Sequence, residues 1–338
     1  METIEELYNK ASEAQEDGRY GRALHYLKRA LQLDTGNPTT WLLLANVQLD
    51  SGAFEASIVS FASAIRLDER SATAHNGIGR AYYELRRYDD AEAAFRKSVR
   101  LQPNAPENHI QLGVVLSSLH RNDEAIECYR HALRLRNIVP EYSYEDTYYN
   151  LGIEYKLKEN VELASRMFKK AIEIDPSFAE AYRELGWVEF ARKNNGAARR
   201  QLSRAAELDD GDFWTHLYLA IVAWSEFEED EAEQAYVRAC DRAPHDPLPY
   251  TCLGEFYMEI DRFDEAENRF LEAIEIDPVD PEPAFHYGEF LVEAERHDEA
   301  REWLHKTIDL DASHIEAREL LDRIGDAVDG GEKPGPAA

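Results

Sequence analysis

Residues 247–280 read PLPYTCLGEFYMEIDRFDEAENRFLEAIEIDPVD, and their pattern of Tyr250, Leu253, Gly254, Tyr257, Ala266, Phe270 and Pro278 returns every 34 residues along almost the whole chain. Self-similarity at a fixed period of this size marks a stacked-repeat architecture, in which each unit touches its neighbours and the core grows with repeat number. The offsets show what is stacked. In the fifth copy Leu151 and Tyr155 stand at i and i+4, and Ala164, Phe168 and Ala171 at i, i+4 and i+7. Each half-repeat is therefore a helix with one apolar stripe. Gly or Ala at the eighth position and Ala at the twentieth allow the two helices to approach closely.

Outward from that copy, the frame places nine repeats at 4–37, 38–71, 72–105, 106–139, 145–178, 179–212, 213–246, 247–280 and 281–314. Proline punctuates it. Pro38, Pro106, Pro247 and Pro281 open first helices, and Pro103, Pro176, Pro244 and Pro278 stop second ones. The one interruption is PEYSY at 140–144, which is either a plain loop or an element that brings Tyr142 and Tyr144 beside the inner face. Residues 315–325 supply the capping helix that the open end of a stack requires. Residues 327–338, with Gly-Gly, two prolines and no apolar period, are expected to be a disordered tail.

These positions resemble the tetratricopeptide pattern W-x2-L-G-x2-Y, A-x3-F, P, with Tyr250 in place of the first Trp. The third repeat matches with Ile78, Gly79, Tyr82, Tyr88, Ala91, Phe95 and Pro103. The resemblance covers 4–326 and implies an all-α, right-handed superhelical solenoid of helix-turn-helix repeats with a C-terminal cap. It also implies a binding surface rather than a reaction, because such a scaffold carries no chemistry of its own.

Composition narrows the classes further. Net charge is −29. Residues 1–144 hold 17 basic and 20 acidic side chains and 145–212 hold 11 and 14, whereas 213–326 hold 9 and 31. Binding nucleic acid relies on Lys and Arg neutralising phosphates, so nucleic acid is not an expected partner. Whole-chain acidity also suits a saline cytoplasm, but confinement to one end argues against that as its whole cause. Three cysteines, Cys128, Cys240 and Cys252, form no C-x-x-C pair and suggest a reducing compartment. An acidic start that enters the first repeat by Ile4, and the absence of about 18 consecutive apolar residues, lead to the expectation of a cytoplasmic protein with no membrane insertion. There is no G-x4-G-K-[ST] and no H-E-x-x-H, Gly77-Ile78-Gly79 lacks a third glycine, and the eleven histidines have no ligand spacing. No enzyme, metal or cofactor is expected.

In the family, first helices line a concave groove, chiefly through repeat positions 2, 5, 9, 12 and 13, and the resemblance assigns those positions here. In the first three repeats they are mixed and polar. Asn46, Asn76 and Arg80 resemble part of the family's carboxylate clamp, but Gly77 stands where a second Asn belongs. Repeats five to seven are different, with Tyr149, Ile153, Trp187, Phe190, Trp214, Leu217, Ile221 and Trp224, and Tyr218 adjacent at position 6. Clustered apolar surface usually marks a binding site. Repeats eight and nine place Glu255, Glu259, Glu282, Glu289 and Glu293 on the groove with Met258 and Phe285 between them, and no Lys or Arg. Trp41 instead occupies the packing position and is expected in the core. The expected function is a protein-interaction scaffold or adaptor that binds a peptide segment with apolar anchors and basic residues. The alternatives are a self-associating or structural scaffold and a chaperone for a secretion or assembly client.

Overall fold

The computed structural model describes residues 2–329, which form 19 α-helices and one 3₁₀ turn, with no strand among the described residues. The helices pair within the repeat frame. Five pairs make a compact unit, Met1–Pro176: α1 (Ile4–Glu16) with α2 (Tyr20–Leu33), α3 (Pro38–Asp50) with α4 (Phe54–Leu67), α5 (Ala72–Glu84) with α6 (Tyr88–Leu101), α7 (Pro106–Ser118) with α8 (Asn122–Arg134), and α9 (Glu145–Leu157) with α10 (Val161–Ile174). A second unit begins at Ser177. It contains α11 (Ala179–Ala191) with α12 (Asn195–Leu208), α13 (Phe213–Ser225) with α14 (Glu229–Arg242), α15 (Pro247–Glu259) with α16 (Phe263–Ile276), and α17 (Pro281–Glu293) with α18 (His297–Leu310), followed by α19 (Ile315–Asp329). The last helix therefore takes in 327–329, which composition alone places in the tail, and 330–338 lie outside the described residues. No described helix is long and apolar enough to cross a membrane.

Helix starts follow the sequence signals. At Asp280-Pro281 the Asp carboxylate accepts from the Glu282 backbone N–H at 3.0 Å while the proline takes the first helical position. The small-residue positions then set the spacing within each pair. Ala23, Ala91, Ala125, Ala164, Ala198, Ala232, Ala266 and Ala300 are all fully buried. A Cβ added to Gly254 would stand 2.8 Å from the Phe270 ring, and one on Gly152 would stand 2.6 Å from Phe168. The large side chain at this position of each second helix, a ring in six repeats and Leu27, Leu202 or Leu304 in the others, is buried against the first helix, and burying it stabilises the pair by about 1.5–3 kcal/mol.

The turn inside each repeat holds its fifteenth residue in the left-handed region. Gly18 and Gly52 supply it in the first two repeats, and Arg86, His120, Glu159, Lys193, Phe227, Asp261 and Glu295 do so in the rest. Consecutive repeats are tied by recurring ion pairs, Arg121 to Glu92 at 2.8 Å, Arg262 to Glu233 at 2.8 Å and Arg296 to Glu267 at 2.7 Å. Such surface pairs contribute little individually and serve mostly to fix register.

The insertion is packed into the structure. Tyr144 is buried, its hydroxyl donates to the Val139 carbonyl at 3.2 Å, and its ring meets Tyr142 edge-on at 5.0 Å. Beyond it, Glu154 occupies a position that is Val, Ala or Phe in the other repeats from the second onward, and it is 1% exposed. Burial raises its carboxyl pKa against a hydrogen bond from Ser117, and Oε2 has no partner among the described residues. Trp41 is only half-buried. It packs against the cores of the first two repeats and its indole N–H reaches the Thr35 carbonyl at 3.0 Å, so it covers the core rather than sitting within it.

Candidate functional site

In the second unit α11 carries Trp187 and Phe190, and α13 carries Trp214 and Tyr218, each pair on one helical face. The two faces meet. Trp187 stacks on Tyr218 at 4.6 Å and lies 5.5 Å from Phe190, while Trp214 is 6.0 Å from Tyr218 and stacks on Phe213 at 5.1 Å. Burial pushes the Tyr218 phenol up to about 12, so it remains a neutral donor and acceptor at any physiological pH. Trp214 is 40% exposed, and Trp187, Phe190, Tyr218 and Ile221 are half-buried. These rings form a partly exposed aromatic surface.

Two of the expected groove residues do not belong to such a surface. Leu217 is 3% exposed and Phe285 is 8% exposed, and both lie in the core of the second unit. The cause is common to them. Both stand at repeat position 5: Phe285 lies 4.5 Å from the ring of His314, the last residue of its own repeat, and Asn76, at the same position, donates to Asn108 of the following repeat at 3.0 Å. Asn76 is buried there and lines one cavity with Asn46 and Arg80. In the first unit Tyr149 and Ile153 are half-buried on α9, with the Tyr149 ring 5.8 Å from Phe168.

Trp224 also differs from its expected role. Its ring meets Phe256 edge-on at 5.2 Å, it packs against the core, and Nε1 donates to Glu259 Oε2 at 2.6 Å. Met258 packs against the same core. The indole is oriented by its own scaffold.

The acidic end contains a cation that sequence reasoning missed. His286 of α17 places Nδ1 3.0 Å from Glu255 and 3.1 Å from Glu289. Burial alone would lower its basicity, but hydrogen bonds to the two carboxylates and their charge outweigh it and raise the pKa from 6.5 to about 10. Glu282 is 3.7 Å from His314, and Glu293 is exposed. Two of the carboxylates, Glu255 and Glu289, therefore flank His286, while Glu259, Glu282 and Glu293 are exposed. The signal was available in the repeat numbering: Trp187 and Glu255 are both at position 9, Tyr218 and His286 both at position 6 of the next repeat, and each pair is in contact.

This arrangement has a definite pH signature. Because the folded-state value is raised, the stabilisation is fully present below about pH 6.5, declines above it, and is gone above about pH 10. An NMR titration should show the His286 ring still protonated between about pH 6 and pH 8, where an unpaired histidine deprotonates. In Glu255→Gln/Glu289→Gln the ring should titrate within that window. An ordinary titration in the parent protein would contradict the pairing.

Burial makes all three thiols poor nucleophiles, pushing Cys128 up to about 11 and Cys240 and Cys252 up to about 12. Among the described residues no group of three or more His, Cys, Asp or Glu is placed to hold a metal ion.

Tetratricopeptide repeat family models match residues 14–59, 42–106, 106–177, 149–213 and 262–324. No curated protein matches the chain. Among solved structures, Pseudomonas aeruginosa PilF shares 18% identity at a TM-score of 0.58, the match covering 66% of this chain and 97% of that one. A tetratricopeptide repeat protein from Parabacteroides merdae shares 17% at 0.57, covering 75% and 98%. YrrB, a tetratricopeptide protein with an unusual peptide-binding site, shares 21% at 0.46, covering 56% and 95%. For PilF and the Parabacteroides merdae protein the likeness, at these identities, is one of fold. The period, the buried small-residue positions and the family matches agree, and the chain belongs to the tetratricopeptide repeat family.

Proposed function

We propose that the chain is a non-enzymatic scaffold that binds a partner peptide segment through apolar anchors seated on Trp187, Phe190, Trp214 and Tyr218. Basic residues next to those anchors are drawn toward the acidic repeats that follow. The observation that carries this reading is the ring cluster on α11 and α13, which is in mutual contact and yet partly exposed. Desolvated aromatic contacts supply most of the energy in such recognition, and the carboxylates set association rate and selectivity. Glu259, Glu282 and Glu293 are the exposed members of the acidic set, whereas Glu255 and Glu289 are half-buried and pair with His286.

The test uses two synthetic peptides of about 15 residues with the same Leu and Phe anchors, one followed by Arg and Lys and the other by Glu, read by fluorescence anisotropy. The basic peptide should bind, and its association should slow and weaken as salt rises from about 50 to about 500 mM. Equal binding of the acidic peptide, or indifference to salt, would remove the electrostatic half of the proposal.

A further inference from the structure

Phe227 is 86% exposed, the most exposed large apolar side chain among the described residues. It sits at the left-handed turn position of its repeat with φ +62, where the other eight repeats carry Gly18, Gly52 or a polar or charged residue. A bulky side chain is strained in that region, and an exposed ring gains nothing from burial. Two separate costs thus fall on one residue, and the fold recovers neither.

The ring is presented by a rigid mount. The Phe227 N–H donates to the Trp224 carbonyl at 2.9 Å, and the Glu228 N–H donates to Ala223 at 3.0 Å. From the neighbouring repeat Arg199 pairs with Glu226 at 2.7 Å, with Glu228, and with Glu231 at 2.5 Å. Those three carboxylates are occupied in bracing the turn. Glu229 and Asp230, both exposed, lie beside the ring, and among the described residues no cation is paired to them.

We infer that the α13–α14 turn is a second contact point, separate from the aromatic surface on α11 and α13, at which Phe227 packs on an apolar helix face rimmed by Lys or Arg on a partner protein. Charge complementarity selects that occupant, since Glu229 and Asp230 flank the ring and repel an acidic rim. The backbone that carries the ring is already held by the turn's hydrogen bonds and the Arg199 pairs, so docking has only the side chain to order.

The test is made in the Trp187→Ala background, which removes the other aromatic site whether or not that site binds peptide. The probe is a fluorescent amphipathic helical peptide with Leu on one face and Lys on the other, titrated with the full chain. Phe227→Gly should weaken binding tenfold or more with an unchanged or higher Tm, Phe227→Leu should retain most of the affinity, and Glu229→Gln/Asp230→Asn should weaken it at low salt only. Unchanged affinity in Phe227→Gly overturns the inference. So does a fall in Tm of several degrees, which would show that the ring serves the fold.

Discussion

Ala266→Asp is expected to lower stability by about 3 kcal/mol or more, the largest effect of any single change considered. Ala266 is fully buried where α16 meets α15, and the adjoining contact is so close that a Cβ on Gly254 would collide with Phe270. A carboxylate there loses its hydration inside an apolar cluster, and the helices can separate to admit water only by losing the Phe270 contact. Asn268→Asp, on the exposed face of the same helix, should cost less than about 1 kcal/mol. Chemical denaturation of the two variants beside the parent is the measurement. Similar midpoints for all three would mean that α15 and α16 do not pack through their small residues.

Trp187→Ala is expected to weaken binding of the basic peptide at least tenfold while leaving the melting temperature close to that of the parent, because its ring rests on Tyr218 and Phe190 and remains partly exposed. Trp224→Ala is expected to do the reverse. That ring fills space against Phe256 and the core, so its loss leaves a cavity, costing roughly 2–4 kcal/mol of stability. Taken from the repeat positions alone, both tryptophans are anchors. If the two variants behave alike in binding and in stability, the distinction drawn from their surroundings fails.

The fold was legible in the sequence because its determinants are local and repeated. Leu151 with Tyr155, and Ala164 with Phe168, specify helix faces by spacing alone. Gly254 and Ala266 announce a close approach that the structure realises against Phe270. Prolines and aspartates mark where helices start. The candidate site was only partly legible. Trp187, Phe190, Trp214 and Tyr218 were found by position and do come together, whereas Leu217 and Phe285 were assigned to a surface and lie in the core. His286, which pairs with Glu255 and Glu289 within the acidic end, was not singled out.

Sequence by itself determined the period, the helix boundaries to within a few residues, the small-to-large packing inside each repeat and the sign of the charge. Tertiary structure decided what one repeat does to the next. Position 9 of one repeat meets position 6 of the following one, as Trp187 meets Tyr218 and Glu255 meets His286, and position 12 meets position 13, as Trp224 meets Glu259. Those pairings depend on how far each helix pair is rotated and shifted against its neighbour. That rotation comes from the summed packing of many side chains across the joint, and no spacing within a single repeat encodes it.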